Sequence, residues 1–207
     1  MKTLFFALVA LSACGPTEVD VSDGTFEQAI GSKDHTGSSN HEEVTPEGVI
    51  AADDCQHIDL GDKACNFTLY DQDENIWDLY EHQGDVIVID FSTSWCPPCQ
   101  AAGYYTQQLQ DDYSSQGVQV VTILIDGPIG GQEPTQEDIN TWVTDHGISS
   151  APVLKGSRTL MFDPAGIGGY SIGAFPTYLY LDRNMNFYAG HAGFSDEYIR
   201  EKIEEAL

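Results

Sequence analysis

Basic residues are scarce in this sequence. Only 8 of the 207 residues are Lys or Arg, against 33 Asp and Glu, so the formal net charge is -25 at pH 7. A protein that binds nucleic acid needs a basic patch to neutralise phosphates, and so few cations cannot form one. The same excess of negative charge opposes docking on anionic lipid. The composition therefore argues against nucleic acid as a partner.

Long apolar runs are also scarce. The clearest run, residues 4–11, follows Lys2 and is too short to anchor a helix across a bilayer. The next residues, "LSAC", end in Cys14 and resemble the lipobox of bacterial lipoproteins, in which the cysteine is lipidated and becomes the first mature residue. This resemblance predicts a signal peptide at residues 1–13 and a membrane anchor on Cys14. An ordinary secretory peptide with a chance cysteine is the alternative.

The location expected for such a protein is outside the cytoplasm of a bacterium. The residue after Cys14 is Gly15, and there is no Asp at that place to indicate retention at the inner membrane. We therefore expect a membrane-anchored lipoprotein facing the periplasm, and the outer membrane is favoured.

The composition changes between the export signal and the rest of the chain. Residues 14–52 are rich in Ser, Thr, Gly, Asp and Glu, and the stretch "GSKDHTGSSNHEE" has no apolar period. Such a segment buries too little apolar surface to offset its conformational entropy, so we interpret it as a flexible acidic tether. Residues 53–207 show no internal repeat and are enough for one domain with its own core.

Cysteines are few, and each has a predicted use. There are 5 in the chain, and an exported protein lies in a compartment that permits disulfides. With Cys14 assigned to the lipid, Cys96 and Cys99 form one C-x-x-C motif, so Cys55 is expected to pair with Cys65 as a structural disulfide. A second redox-active pair is the alternative. A zinc site is not expected, because it needs four ligands and no second ligand pair is visible.

Periodicity and helix-boundary signals predict an α/β domain. Continuous apolar runs indicate strands buried on both faces, and prolines, Ser and Gly mark helix ends. The order of these elements predicts a mixed sheet flanked by helices. The predicted elements are a hairpin with its turn at residues 71–75, a strand at 85–91, a helix at 96–113, a strand at 118–126, a helix at 134–147, a strand pair around a turn at 182–186, and a Ser-capped final helix at 195–207.

Two motifs carry a resemblance to a known family. "VIDFSTSWCPPC" follows a buried strand, and "YSIGAFPTYLYLD" lies later in the chain. Both resemble the thioredoxin superfamily, specifically its exported, membrane-tethered thiol–disulfide oxidoreductases of the TlpA/ResA kind in the redoxin/AhpC-TSA branch. The segment "GDKACNFTLYDQDENIWDLYEHQGDVIVIDF" resembles the N-terminal extension of that branch, except that Cys65 stands where a proline is usual. The resemblance covers about residues 61–207 and implies a thioredoxin-like fold with an N-terminal β extension.

The C-x-x-C motif has a chemical interpretation of its own. Cys96 begins a predicted helix, where the helix dipole and free N–H groups stabilise a thiolate, so it is the expected nucleophile. Cys99, one turn further, is placed to resolve a mixed disulfide. Trp95 is expected to form a flat apolar wall beside the attacked sulfur, although ordinary core packing is the alternative. The resemblance implies that Pro176 is cis and that the Phe175 backbone lies beside the disulfide, available to a client strand.

Asp90 lies six residues before Cys96 in the buried strand. Burial disfavours the charged form of a carboxyl and raises its pKa. Thioredoxin itself has an aspartate at this offset, and the resemblance implies that Asp90 takes the proton from Cys99 during resolution. The alternative is an aspartate that only hydrogen-bonds a strand end or a water molecule.

The predicted function is thiol–disulfide exchange on exported proteins that contain cysteines, without metal or cofactor. Tethered relatives usually reduce their clients, so the reducing direction is expected, with an upstream membrane electron donor. A peroxiredoxin-like peroxidase is an alternative, but the proline of its P-x-x-x-T-x-x-C pattern is missing. A Sco-like copper carrier could use His191, but its cysteines are spaced one residue wider, and His191 is expected to face water. A non-catalytic binding lipoprotein is the third alternative.

Overall fold

Two sheets and three longer helices form the part of the chain that the computed structural model describes, residues 59–161, 170 and 172–207. The signal peptide, the tether, Cys14 and Cys55 lie outside these residues. Short 3-10 turns occur at Leu79–His82, Ser114–Gln116 and Arg158–Leu160. The strands and helices are β1 (Thr68–Tyr70), β2 (Ile76–Asp78), β3 (Val86–Thr93), α1 (Pro97–Tyr113), β4 (Val118–Asp126), α2 (Gln136–His146), β5 (Val153–Lys155), β6 (Thr177–Leu181), β7 (Phe187–Ala192) and α3 (Asp196–Ala206).

The main sheet has five strands in the order β5-β4-β3-β6-β7. β3 pairs in parallel with β4, and β4 with β5, whereas β6 runs antiparallel to β3 and to β7. β3 is the central strand, and all of its residues are buried, as its continuous apolar run predicted. The mixed sheet expected from the order of elements is therefore confirmed, with β5 as an added edge strand.

The N-terminal extension is the small antiparallel hairpin of β1 and β2. Its turn forms because Asp71 Oδ1 accepts hydrogen bonds from the N–H groups of Asp73 and Asn75, both at 2.8 Å. Preceding residues also contact the main sheet, since the Gly61 N–H donates to the Phe187 carbonyl at 2.7 Å. The extension is thus bonded to the outer edge of β7.

The helices begin where the sequence provides caps. The Thr135 side chain and Asp138 form a capping box, so α2 begins at Gln136, two residues after the proline that marks the predicted start. The helix ends at Gly147, whose φ of 65° is in the left-handed region. Ser195 caps α3 as predicted. α1 begins with Pro97, a position where a missing N–H costs nothing.

Residues of β3 alternate between two apolar clusters. Ile87, Ile89 and Phe91 pack on the side of the N-terminal hairpin, whereas Val86 and Val88 pack beneath α1 and α3. By this alternation Asp90 lies on the helix side of the sheet, under the start of α1. Within the described ranges, no helix combines the length and apolar content needed to cross a membrane.

Candidate active site

The C-x-x-C motif lies where β3 turns into α1. Cys96 is the N-cap residue of the helix and Cys99 lies in its first turn, and both are free thiols. Cys96 is 5% exposed and Cys99 is fully buried. Cys96, the expected nucleophile, is therefore largely covered, although it remains the more accessible of the two.

Backbone contacts hold this turn against the neighbouring strand. The Ser94 N–H donates to the Asp126 carbonyl at 3.1 Å, and the Cys96 N–H donates to the Thr93 carbonyl at 3.3 Å. The Gln100 side-chain amide donates back to the Ser94 carbonyl at 2.7 Å. The motif is thus fixed at the carboxyl ends of β3 and β4, and Cys96 does not depend on a flexible loop for its position.

The segment before β6 faces the motif. The Phe175–Pro176 peptide bond is cis. The Cys96 Sγ–H donates to the Phe175 carbonyl oxygen at 3.5 Å, so these residues, 79 positions apart, meet at the site. The structure therefore brings together Cys96, Phe175 and Pro176, which sequence reasoning placed in one site.

Trp95 is held beside the motif by a buried carboxylate. Its ring is 45% exposed and lies edge-on to the Phe175 ring, with centroids 6.3 Å apart. Its Nε1–H donates to Asp126 Oδ2 at 3.0 Å. The indole is thus an exposed wall with a fixed orientation and is not a core residue.

Asp126 was not predicted as part of the site. Its buried carboxylate accepts hydrogen bonds from Arg158 Nε at 2.8 Å and Nη2 at 2.6 Å, and from the Gly131 N–H at 2.9 Å. Burial by itself would raise the pKa of Asp126, but the bonds from Arg158, Gly131 and Trp95 outweigh it and hold the pKa below its usual value. Its position at the carboxyl end of β4, beside the end of β3, was the sequence signal that could have identified it.

Asp90 lies beneath the motif and is 1% exposed. Its Oδ1 accepts a hydrogen bond from Ser92 Oγ at 2.7 Å, and its Oδ2 is buried without a partner. Burial raises the pKa of Asp90 to about 7, against a partial lowering by the Ser92 hydroxyl. Burial, the hydrogen bond with Cys96 and the charge of Asp90 all raise the pKa of Cys99. Each of the two buried groups thus favours its protonated form.

Cys65 is separate from the C-x-x-C pair and is disulfide-bonded. It is fully buried, and its carbonyl accepts a hydrogen bond from the Tyr170 hydroxyl at 2.8 Å. Its predicted partner, Cys55, lies outside the described residues. The pairing of these two cysteines therefore stays a prediction.

The expectation that His191 faces water is wrong. The residue is 8% exposed, because it lies on the face of β7 that α3 covers. Its ring stacks on Tyr178 with centroids 5.0 Å apart, and Tyr198 of α3 meets it edge-on at 4.6 Å. Burial lowers the pKa of His191 to about 4, so its imidazole is neutral at physiological pH. In residues 59–161, 170 and 172–207, no three His, Cys, Asp or Glu side chains are grouped as metal ligands would be.

Comparison with protein families gives a match over most of the domain. The model of the AhpC/TSA family matches residues 60–184, more than half of the chain. The chain belongs to the AhpC/TSA family. A curated relative, the thiol-disulfide oxidoreductase ResA of Halalkalibacterium halodurans, is 23% identical over 147 residues, which cover 71% of this chain and 76% of the relative.

Solved structures resemble this family member in fold. A crystal structure assigned to a thiol:disulfide interchange protein DsbE of Chlorobium tepidum has a TM-score of 0.57 and 28% identity, and the match covers 72% of this chain and 98% of that one. An uncharacterised conserved protein of Geobacillus kaustophilus has a TM-score of 0.60 at 21% identity, with coverage of 72% and 82%. These findings confirm the predicted thioredoxin-like fold and the TlpA/ResA-like class, thiol–disulfide oxidoreductase.

Proposed function

We propose that this AhpC/TSA family member exchanges disulfides with exported client proteins through Cys96 and Cys99. The observation that carries this proposal is the free thiol pair at the start of α1, with the more accessible sulfur directed at the Phe175 carbonyl. A client chain that approaches Cys96 would meet the exposed indole of Trp95 on one side and the backbone before Pro176 on the other. Both would position the client disulfide by contacts that do not depend on its sequence.

The exchange has two steps, and the atoms balance. The Cys96 thiolate attacks one sulfur of a client disulfide, forming a mixed disulfide and releasing the other client cysteine as a thiol. Cys99 then loses its proton and attacks the Cys96 sulfur, which releases the second client thiol. The client is reduced by two electrons, and Cys96–Cys99 becomes a disulfide that an external dithiol must reduce again.

Asp90 is the proposed acceptor of the Cys99 proton. A general base works best when its pKa lies near the working pH, and burial raises the pKa of Asp90 to about 7. Because the charge of Asp90 also raises the pKa of Cys99, the two groups are close enough to interact. Asp90 would return the proton when the reaction runs in reverse.

The proposed setting is the periplasm. Residues 1–13 would direct export, a lipid on Cys14 would hold the protein at a membrane, with the outer membrane favoured, and residues 14–52 would let the acidic domain reach its clients. Reduction of clients would require a membrane electron donor upstream. The potential of the Cys96–Cys99 pair against glutathione tests the direction, because a strongly oxidising value, towards about −120 mV, would contradict a reductant.

Trapping of intermediates tests the roles of the two cysteines. Cys99→Ala should accumulate mixed disulfides with clients through Cys96, because the resolving thiol is missing. Cys96→Ala is the matched control and should accumulate none, because Cys99 is fully buried. Both are analysed by non-reducing electrophoresis and mass spectrometry. Equal trapping by the two variants would contradict the assignment.

A further inference from the structure

A row of polar side chains crosses the main sheet beneath α1 and α3. Asp90 of β3 is in register with Thr122 of β4 on one side and with Tyr178 of β6 on the other, and Tyr178 is in register with His191 of β7. Partners in register on adjacent strands project to the same face of a sheet. The next row on the same face, formed by Val88 with Val120 and Tyr180, belongs to an apolar cluster. The polar row is thus a local departure from an apolar face.

Three atoms of this row are buried without a hydrogen-bond partner: Asp90 Oδ2, Thr122 Oγ1 and, two strands away from Asp90, His191 Nε2. Asp90 and Thr122 lie on adjacent strands and are 1% and 0% exposed. Buried hydroxyl and carboxyl oxygens nearly always have a partner in folded proteins. Adjacent strands lie about 4.8 Å apart, so a rotation of the Thr122 side chain about its Cα–Cβ bond brings the hydroxyl within hydrogen-bonding reach of the carboxyl.

We propose that Thr122 is a positioning residue for Asp90, and that its hydroxyl donates a hydrogen bond to Asp90 Oδ2 when this carboxyl is ionised. The Ser92 hydroxyl already donates to the other oxygen, Oδ1. Two hydroxyl donors on adjacent strands would then stabilise the form of Asp90 that can accept a proton. The inference rests on the proposed function only in giving this ionised form a use, the removal of the Cys99 proton.

The other titratable groups that face Asp90 stay neutral near neutral pH. From α1, Cys99 has its pKa raised by burial, by Cys96 and by Asp90 itself. From β6, burial and neighbouring charges raise the pKa values of Tyr178 and Tyr180 well above the usual value for tyrosine. Of these groups, Asp90 is the one that changes charge between pH 5 and 9, and the signal of its own carboxyl carbon reports that change directly.

The test is the titration of the Asp90 carboxyl carbon by NMR in the reduced protein, with Asp90→Asn used to assign the signal. Thr122→Val keeps the shape of the side chain and removes the hydroxyl, whereas Thr122→Ser keeps the hydroxyl and is the matched control. Loss of one hydrogen bond to a charged group should raise the midpoint in Thr122→Val by about one pH unit, a tenfold change in the ionisation constant. The Ser variant should titrate close to the parent. If Thr122→Val does not fold, Thr122→Ala is compared with Thr122→Ser in its place.

The outcomes separate this inference from the proposed function. If the Asp90 carboxyl has the same midpoint in Thr122→Val and in the parent, Thr122 does not donate a hydrogen bond to Asp90 and the inference is wrong. A midpoint raised in Val but not in Ser supports it. If the midpoint rises while the rate of disulfide resolution between pH 6 and 8 is unchanged in both Thr122→Val and Asp90→Asn, the hydrogen bond is supported and the role of Asp90 as proton acceptor fails. If the pH profile of resolution moves with the midpoint, both are supported.

Discussion

Replacement of Asp90 by Asn should stabilise the protein, and the gain should grow with pH. The pKa of this carboxyl rises from 3.8 to about 7 on folding because the group is buried. Over that range the folded protein holds a proton that the unfolded chain has lost, so the stability of the parent falls as the pH increases. The fall ends above pH 7, where the carboxyl is ionised in both states. Asn has no proton to lose and keeps the shape of the side chain.

The size of the effect follows from the pKa difference. One pKa unit corresponds to about 1.4 kcal/mol, so the full rise on folding is equivalent to about 4 kcal/mol. Below pH 5 many other carboxylates titrate, so the useful comparison starts at pH 5. Between pH 5 and 8, the free energy of unfolding of Asp90→Asn should gain about 3 kcal/mol relative to the parent.

Urea unfolding of both proteins at several pH values, with the thiols kept reduced, measures this difference. Asp126→Asn is the matched control, because Asp126 is also a buried aspartate but its pKa is lowered on folding. Its replacement should lower the stability by an amount that does not vary between pH 5 and 8. If the stability of Asp90→Asn relative to the parent is independent of pH, the carboxyl is not held protonated by burial and the reasoning is wrong.

Three further predictions concern the surroundings of the site. Gly103→Ala should lower the free energy of unfolding in urea by about 1–3 kcal/mol, because the added Cβ would lie 2.5 Å from the His146 ring. An Ala in place of Gly usually stabilises a helix, so the opposite sign is specific to this contact. Arg158→Met should shift and broaden the NMR signal of the Trp95 indole N–H, because Arg158 and Trp95 both donate hydrogen bonds to the Asp126 carboxylate. An unchanged signal would show that Arg158 does not hold Asp126 in place for Trp95. Mild reductant should open the active-site pair before the fully buried Cys65 disulfide, as measured by alkylation and mass mapping; simultaneous labelling of Cys65 would indicate a second redox pair.

Elements with strong local signals could be predicted from the sequence. β4 occupies residues 118–126 as predicted, because its continuous apolar run has a defined start and end. α1 begins at Pro97 and α3 begins after Ser195, because proline and serine mark helix starts independently of tertiary contacts. β5 has only three residues, Val153–Lys155, which is too short to show a period. It is a strand because it pairs with β4, and that pairing is not visible in its own sequence.

Features that depend on distant contacts could not be predicted unless a family motif implied them, as it did for Phe175 and Pro176. His191 stands in "AGHAG", where small residues give no alternation to indicate a face, and the register with Tyr178 decides that it is buried. The pair of Asp126 and Arg158 joins residues 32 positions apart, and the intervening chain has no pattern that requires them to meet. The cysteine positions were predictable because a helix start is a local signal. The position of Asp126 at the end of β4 was also a local signal, but its bonds with Arg158, Gly131 and Trp95 could not be predicted from it.

The bonds between the N-terminal extension and β7 also affect how copies of the protein meet. An uncovered edge strand offers free N–H and carbonyl groups to which a strand of another molecule can add, and such addition leads to aggregation. Here the Phe187 N–H and carbonyl are already taken by Asp62 and Gly61 at 2.9 and 2.7 Å. At the opposite edge, β5 offers only three residues. Strand addition is thus blocked at the Phe187 end of β7 and finds only a short template at β5, which limits self-association of the sheet through its edges.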